Sequence, residues 1–166
     1  IESFDKDSLT AILEEQNYQD TSLPIEIYLF QGLPKSDKLE LIIQKTVELG
    51  VNGIFPVAME RSIVKLDNKK ALEKTKRWQA ISESAAKQSK RNIIPKINEP
   101  ISFDKMIEIA KDLDLFIVPY EEQLGINSLK DAFKELKGGL KVGVLIGPEG
   151  GISPKEIEIV NTINAK

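Results

Sequence analysis

The feature that most constrains the fold is a rhythm. From Pro24 onward, short apolar runs of strand length alternate with longer segments whose apolar residues recur at helical spacing. "IEIYLFQ" (25–31) reads as a strand. "PKSDKLELIIQKTVELG" (34–50) reads as a helix: Ser36 or Asp37 supplies a cap, Leu39, Ile42, Ile43 and Val47 share a face, and Gly50 stops it. "NGIFPVAM" (52–59) is a short strand in which Pro56 signals an edge or an irregularity. Residues 61–65 form an extended piece or a loop. The longest helix is predicted over 68–91, with Ala71, Thr75, Trp78, Ser82 and Ala85 on one face and Arg77, Ser84, Gln88 and Arg91 on a polar stripe. Further strands are expected at 92–97, 113–120 and 141–147. Helices are expected at 102–112, 127–136 (capped by Asn127) and 153–163. Strands that are apolar throughout, separated by helices, imply an α/β fold: a mostly parallel sheet with helices on both faces. Ligands of such sheets lie at the carboxyl ends of the strands. Two ends qualify here, 119–122 ("PYEE") and 147–151 ("GPEGG").

Composition narrows the chemistry. The chain has 166 residues, enough for one sizeable core. It contains neither histidine nor cysteine. Cys/His zinc sites, disulfides and His-activated nucleophiles are therefore excluded, and no metal site is predicted. Catalysis must use carboxylates, Lys, Arg, Tyr, backbone dipoles or a cofactor. No run approaches the roughly 20 apolar residues of a membrane helix, which with the missing cysteines fits a cytoplasmic protein. The net charge of −3 conceals an asymmetry. Residues 61–96 hold eleven Lys/Arg against three Asp/Glu, a local +8, which leaves −11 on the rest. Such a block suits phosphate, although most Lys-rich helices are only solvated surface.

Within "LIGPEGGISPKEIE" (145–158), Ser153, Pro154 and Glu156 form a capping box with proline at the first helical position. Ser153 is thus a cap and not a nucleophile. The preceding Gly147, Pro148, Glu149, Gly150 and Gly151 match neither a P-loop nor a dinucleotide fingerprint. Two readings stand side by side: a plain turn, or bare backbone that holds a flat neutral ring such as adenine. Glu149 either fixes the loop by hydrogen bonds or faces a cationic ligand.

Four stretches in order, "KSDKLELIIQKTVELGV", "FPVAMERSIVK", "RWQAISESAAKQSKRNIIPKI" and "GPEGGIS" followed by Glu156, resemble the RsmE family of ribosomal RNA uridine-N3 methyltransferases. The resemblance spans residues 25–161. It implies a SPOUT-type domain with a C-terminal trefoil knot, S-adenosylmethionine as methyl donor, small-subunit (16S) ribosomal RNA or the assembled subunit as substrate, and a homodimer. It also implies an N-terminal PUA-like β-barrel, of which residues 1–24 would be a remnant, with the methyltransferase domain at 25–166. The family's Leu-Gly-x-Arg-Ile-Leu-Arg-x-Glu-Thr-Ala-like closing segment has no match after Val160. The expectation is a knot incomplete in this chain and poor donor binding by these residues alone.

On this resemblance the donor pocket falls to Ile146, Gly147, Pro148, Glu149, Gly150 and Gly151, bordered by Tyr120 and Glu121. Arg61 becomes the candidate catalytic residue, because removing the N3 proton of uracil spreads negative charge onto the ring oxygens. Arg61, Lys65, Lys74, Arg77, Gln88 and Arg91 are assigned to RNA. Trp78 is read as core. The alternatives are a non-catalytic α/β RNA-binding module and a SPOUT enzyme acting on another RNA.

Overall fold

The computed structural model describes residues 1–12, 14, 22–120, 134 and 136–163. Most of the helix expected over 127–136, and the site candidate Glu121, lie outside them. Two short strands, β1 (Ser3–Phe4) and β2 (Leu9–Thr10), pair antiparallel, and residues 1–12 are all exposed. The remaining strands form one sheet: β3 (Glu26–Gly32), β4 (Gly53–Ala58), β5 (Lys96–Ile97), β6 (Ile101–Ser102), β7 (Leu115–Ile117) and β8 (Lys141–Ile146). Their order is β5-β4-β3-β8-β7, with β6 also on β4, and every pairing is parallel. Central β3 therefore has β4 on one side and β8 on the other.

Alternation along the strands divides the core into two. One face carries Leu29 and Ile54, which pack with Leu39, Ile43 and Val47 of α1 (Lys38–Leu49) and Trp78 and Ala85 of α2 (Asn68–Gln88). The opposite face carries Phe30, Val57 and Leu145. It is covered by Met106 and Ile107 of α3 (Phe103–Ala110) and Val160 of α4 (Pro154–Val160). Helices thus cover both faces, and Trp78 belongs to the core. Phe30 stacks on Phe55 at 4.8 Å and meets Phe116 edge-on at 5.6 Å. Burying the Phe30 and Phe116 rings is worth about 1.5–3 kcal/mol each, and Phe55 is only half-buried.

Several boundaries differ from the sequence reading, each for a local reason. Helix α1 has no side-chain cap: Ser36 lies at φ 55° and Asp37 makes no capping bond. Their loop is shaped instead by Glu149, described below. Gly50 does close α1, in the left-handed conformation at φ 98°. Pro56 lies in the sheet interior and is fully buried. The irregularity falls on its neighbour, which breaks into β5 and β6 and pairs with β4 only on either side of Phe55 and Pro56. Helix α2 ends at Gln88, because Lys90 turns left-handed (φ 55°) and sends the Arg91 N–H back to the Ala86 carbonyl. Arg91 consequently leaves the polar stripe. The strand expected over 92–97 shrinks to two residues, since α2 side chains take its backbone groups. Ser82 Oγ donates to the Pro95 carbonyl at 2.7 Å, and Gln79 Nε2 donates to the same carbonyl at 3.3 Å. Strand β7 is likewise shorter than 113–120. Among the described residues no helix is long and apolar enough to cross a membrane.

Candidate active site

Three adjacent strands end at the same edge of the sheet. Their loops are 33–37 after β3, 59–67 after β4 and 147–153 after β8, and they meet there because β3 separates the other two strands by a single position. Gly32 permits the closest approach. A Cβ on it would lie 2.6 Å from Pro148 Cδ and 2.8 Å from Met59 Sδ, so all three loops converge on a point where only hydrogen fits. Pro148 is buried against this point, whereas Glu149 and Gly150 stay exposed. Gly151 turns at φ 72°, with its N–H bonded to the Pro148 carbonyl at 2.8 Å. A Cβ on Gly151 would meet nothing nearer than 3.8 Å, so its backbone is open to a ligand. Buried Gln31 donates to the Gly32 carbonyl at 3.0 Å and reaches the Gly147 carbonyl at 3.4 Å, bracing the start of the loop.

Glu149 points away from the opening. Its carboxylate accepts the Lys35 N–H at 3.1 and 3.2 Å and pairs with Lys38 Nζ at 2.9 Å. The Lys38 hydrogen bond, ahead of the backbone N–H bonds, draws its pKa from 4.5 down to about 2. Of the two roles considered for Glu149, the structure displays the loop-fixing one.

Arg61 lies directly on the glycine loop. Its Nη1 donates to the Gly150 carbonyl at 3.0 Å and reaches the Ile152 carbonyl at 3.4 Å, and a Cβ on Gly150 would come 3.1 Å from Arg61 Cβ. The preceding residue is also held. The Glu60 N–H donates to Glu156 Oε1 at 2.8 Å, and Glu60 Oε2 accepts from Ser153 Oγ at 2.7 Å. Ser153 and Glu156 complete the expected capping box of α4. The hydroxyl proton of Ser153 is committed to a carboxylate, which agrees with its reading as a cap.

The other candidates divide. Tyr120 is half-buried beyond β7 at this same edge, and Ile146 is exposed at the end of β8. Lys65 is exposed in the loop that carries Arg61. Lys74 stands 5.9 Å over the Trp78 ring, and Arg77 pairs with Glu40 of α1 at 2.8 Å. Gln88 is exposed about 21 Å farther along α2 than Lys74, toward the opposite edge of the sheet. Arg91 lies beyond it, where its guanidinium donates to the Glu48 carbonyl at the end of α1. The six RNA candidates therefore do not form one rim. Lys35, Lys38, Glu60 and Glu156 were missed by sequence reasoning. Only the capping box flagged Glu156, and nothing local in the sequence marks its second partner. Among the described residues no three His, Cys, Asp or Glu gather as a metal site.

This arrangement offers glycine backbone, open on one side, beside a fixed guanidinium. Residues 21–166 match the family model for an RNA methyltransferase domain. The chain is 39% identical over 161 residues to ribosomal RNA small subunit methyltransferase E of Bacillus subtilis (strain 168), covering 95% of this chain and 63% of that protein. Among solved structures, a Legionella pneumophila methyltransferase in complex with the cofactor SAM superposes with a TM-score of 0.76 at 30% identity, over 88% of this chain and 58% of that one. A Neisseria gonorrhoeae ribosomal RNA small subunit methyltransferase E bound to S-adenosyl methionine gives 0.69 at 27% identity, over 86% and 56%. The chain thus spans less than two thirds of the length of these relatives. With the family model matched over nearly its whole length, the chain belongs to the RNA methyltransferase domain family, among relatives named ribosomal RNA small subunit methyltransferase E.

Proposed function

We propose that the domain catalyses S-adenosylmethionine-dependent methylation of N3 of a uridine in 16S ribosomal RNA. The observation that carries this reading is the contact of Arg61 with the exposed glycine loop, Nη1 to the Gly150 carbonyl at 3.0 Å. The loop fits the donor. A flat adenine needs close approach to N–H and C=O groups; the Gly150 carbonyl is taken by Arg61 and the Gly151 N–H by the Pro148 carbonyl, and the approach that remains is along the side of Gly151 that carries no side chain. Ile146, Gly147, Pro148, Gly150 and Gly151 would line the pocket with Tyr120 at its border, while Glu149 holds the loop's shape. The donor supplies a methyl group on a sulfonium.

The chain's own task is to position the acceptor and to stabilise the uracil anion. Arg61 has one guanidinium nitrogen anchored to the loop, and its remaining N–H groups suit the negative charge on the ring oxygens. Lys65, Lys74 and Arg77 extend a basic track from Arg61 along the first half of α2 for the RNA backbone, and Gln88, about 21 Å beyond Lys74, would meet a separate stretch of it. Residues 25–166 carry this domain and residues 1–24 belong to a separate β unit. The domain is of the SPOUT type, with a trefoil knot that these residues leave incomplete, and acts in the cytoplasm as a homodimer, a second copy covering the exposed Ile63 and Ile146 at the site edge.

The test is methyl transfer by the full-length protein to small subunits, with base-resolved mapping. Methyl on uridine N3 is expected, and Arg61→Ala should lower kcat by about 10²–10³-fold. Methyl on a carbon or a ribose oxygen overturns the N3 assignment. RNA binding without any transfer would make the domain a binding module.

A further inference from the structure

Glu156 does more than cap its helix. A capping box requires one oxygen of the residue at the third helical position, directed at the N-cap N–H, and glutamine serves there as well as glutamate. Glu156 Oε2 fills this role toward Ser153 at 3.0 Å. The other oxygen, Oε1, accepts the N–H of Glu60, 96 residues away, at 2.8 Å. Both bonds are made by a side chain that is only 5% exposed. Glu60 is gripped a second time through its own carboxylate by Ser153 Oγ. The next residue is Arg61, whose guanidinium reaches the glycine loop.

We propose that Glu156 is a positioning residue for methyl transfer: its second carboxylate oxygen fixes the Glu60 amide and thereby aims Arg61 along the glycine loop. This rests on the catalytic reading of Arg61 given above. The chemistry explains why a carboxylate is used. Glutamine offers a single oxygen, so with the cap satisfied its NH₂ group would face the Glu60 N–H, donor against donor. Released from Glu156, the backbone of the 59–62 turn keeps its internal bonds, between Ser62 N–H and the Met59 carbonyl and between Met59 N–H and Ser62 Oγ, and is tied to the rest of the site through side chains alone, Glu60 to Ser153 Oγ and Arg61 to the Gly150 carbonyl.

The experiment compares Glu156→Gln with Glu156→Ala in the full-length protein, each alone and combined with Arg61→Ala. Thermal melts, amide hydrogen exchange at Glu60 and steady-state methylation are read together. Glu156→Ala should lose both stability and activity. Glu156→Gln keeps the cap and should recover part of the melting temperature lost in Glu156→Ala, leave the Glu60 amide fast-exchanging and keep kcat on the order of 10- to 100-fold low. In the Arg61→Ala background the further loss should be under about twofold, because the two residues act as one unit. Unchanged Glu60 exchange in Glu156→Gln overturns the proposal. So does full kcat in that variant, or an equal loss with and without Arg61. A wild-type protein that transfers no methyl would sink the function itself, while the exchange data still report whether Glu156 holds Glu60.

Discussion

The two edges of the sheet are secured by similar bonds put to different uses. At the amino edge, polar side chains finish ladders that the strands have already aligned. Asn52 Oδ1 accepts the Ile27 N–H while its own N–H returns to the Ile27 carbonyl, and Asp114 makes the matching two-way pair with Lys141. Arg91 adds its guanidinium to the last turn of α1. At the carboxyl edge, Glu149, Glu156 and Arg61 bond to backbone that no ladder orders, in loops after three different strands. The first set prolongs regular structure, and the second creates irregular structure. Damage at the amino edge should therefore appear as lost stability, and damage at the carboxyl edge as lost binding and catalysis.

Among substitutions that set the two edges against each other, the largest effect is expected at the point where the three loops converge. Gly32→Ala would place a carbon 2.7 Å from the Pro148 backbone nitrogen, so the glycine loop must lift. Overpacking of this kind costs about 1–3 kcal/mol. The displaced loop should weaken donor affinity by roughly tenfold or more, read by calorimetry on the full-length protein. Stability loss with unchanged affinity would mean that the carboxyl edge behaves like the amino edge. Next is Arg91→Ala. It removes a charged donor from the Glu48 carbonyl and should cost about 1–2 kcal/mol in urea denaturation, with methylation and the salt dependence of RNA binding unchanged. A shallower salt slope would return Arg91 to the RNA-binding set.

The smallest effect is local and pH-dependent. The Glu149 pKa lies near 2 in the fold against an ordinary 4.5, so its bonds are fully present above about pH 4.5 and are lost as pH falls through about 2. The Lys35 amide resonance should accordingly hold steady from neutral pH to below pH 4 and move only as pH nears 2. Lys38→Ala should bring that midpoint up toward 4.5. A Lys35 amide that moves near pH 4.5 in the wild type would show that Glu149 does not hold the β3 loop.

What the sequence made legible follows the range of the interaction. Gly50 and the Ser153–Glu156 box involve residues a turn apart, and local pattern located both. The parallel sheet was readable because burial on both faces writes apolar runs into the strands. The missed features depend on distant partners. Ser36 and Asp37 resemble caps, yet the backbone at Lys35 is claimed by a carboxylate 114 positions away. Residues 92–95 resemble strand, yet Ser82 and Gln79 of α2 both donate to the Pro95 carbonyl that a strand would need. Arg91 resembles surface charge until the fold brings the end of α1 beneath it. The basic block of 61–96 was visible as composition, but composition does not say that a helix of 21 residues carries its two ends to opposite edges of the sheet.

The long-range bonds of the glycine loop also bear on the order of folding. Glu60 to Glu156, Arg61 to Gly150 and Lys35 to Glu149 join residues 96, 89 and 114 positions apart. None can stabilise a partly folded chain until β8 has docked beside β3, so each requires the whole intervening loop to be closed first. The carboxyl edge is therefore completed late in folding and opens early, with lower protection than the strands beneath it.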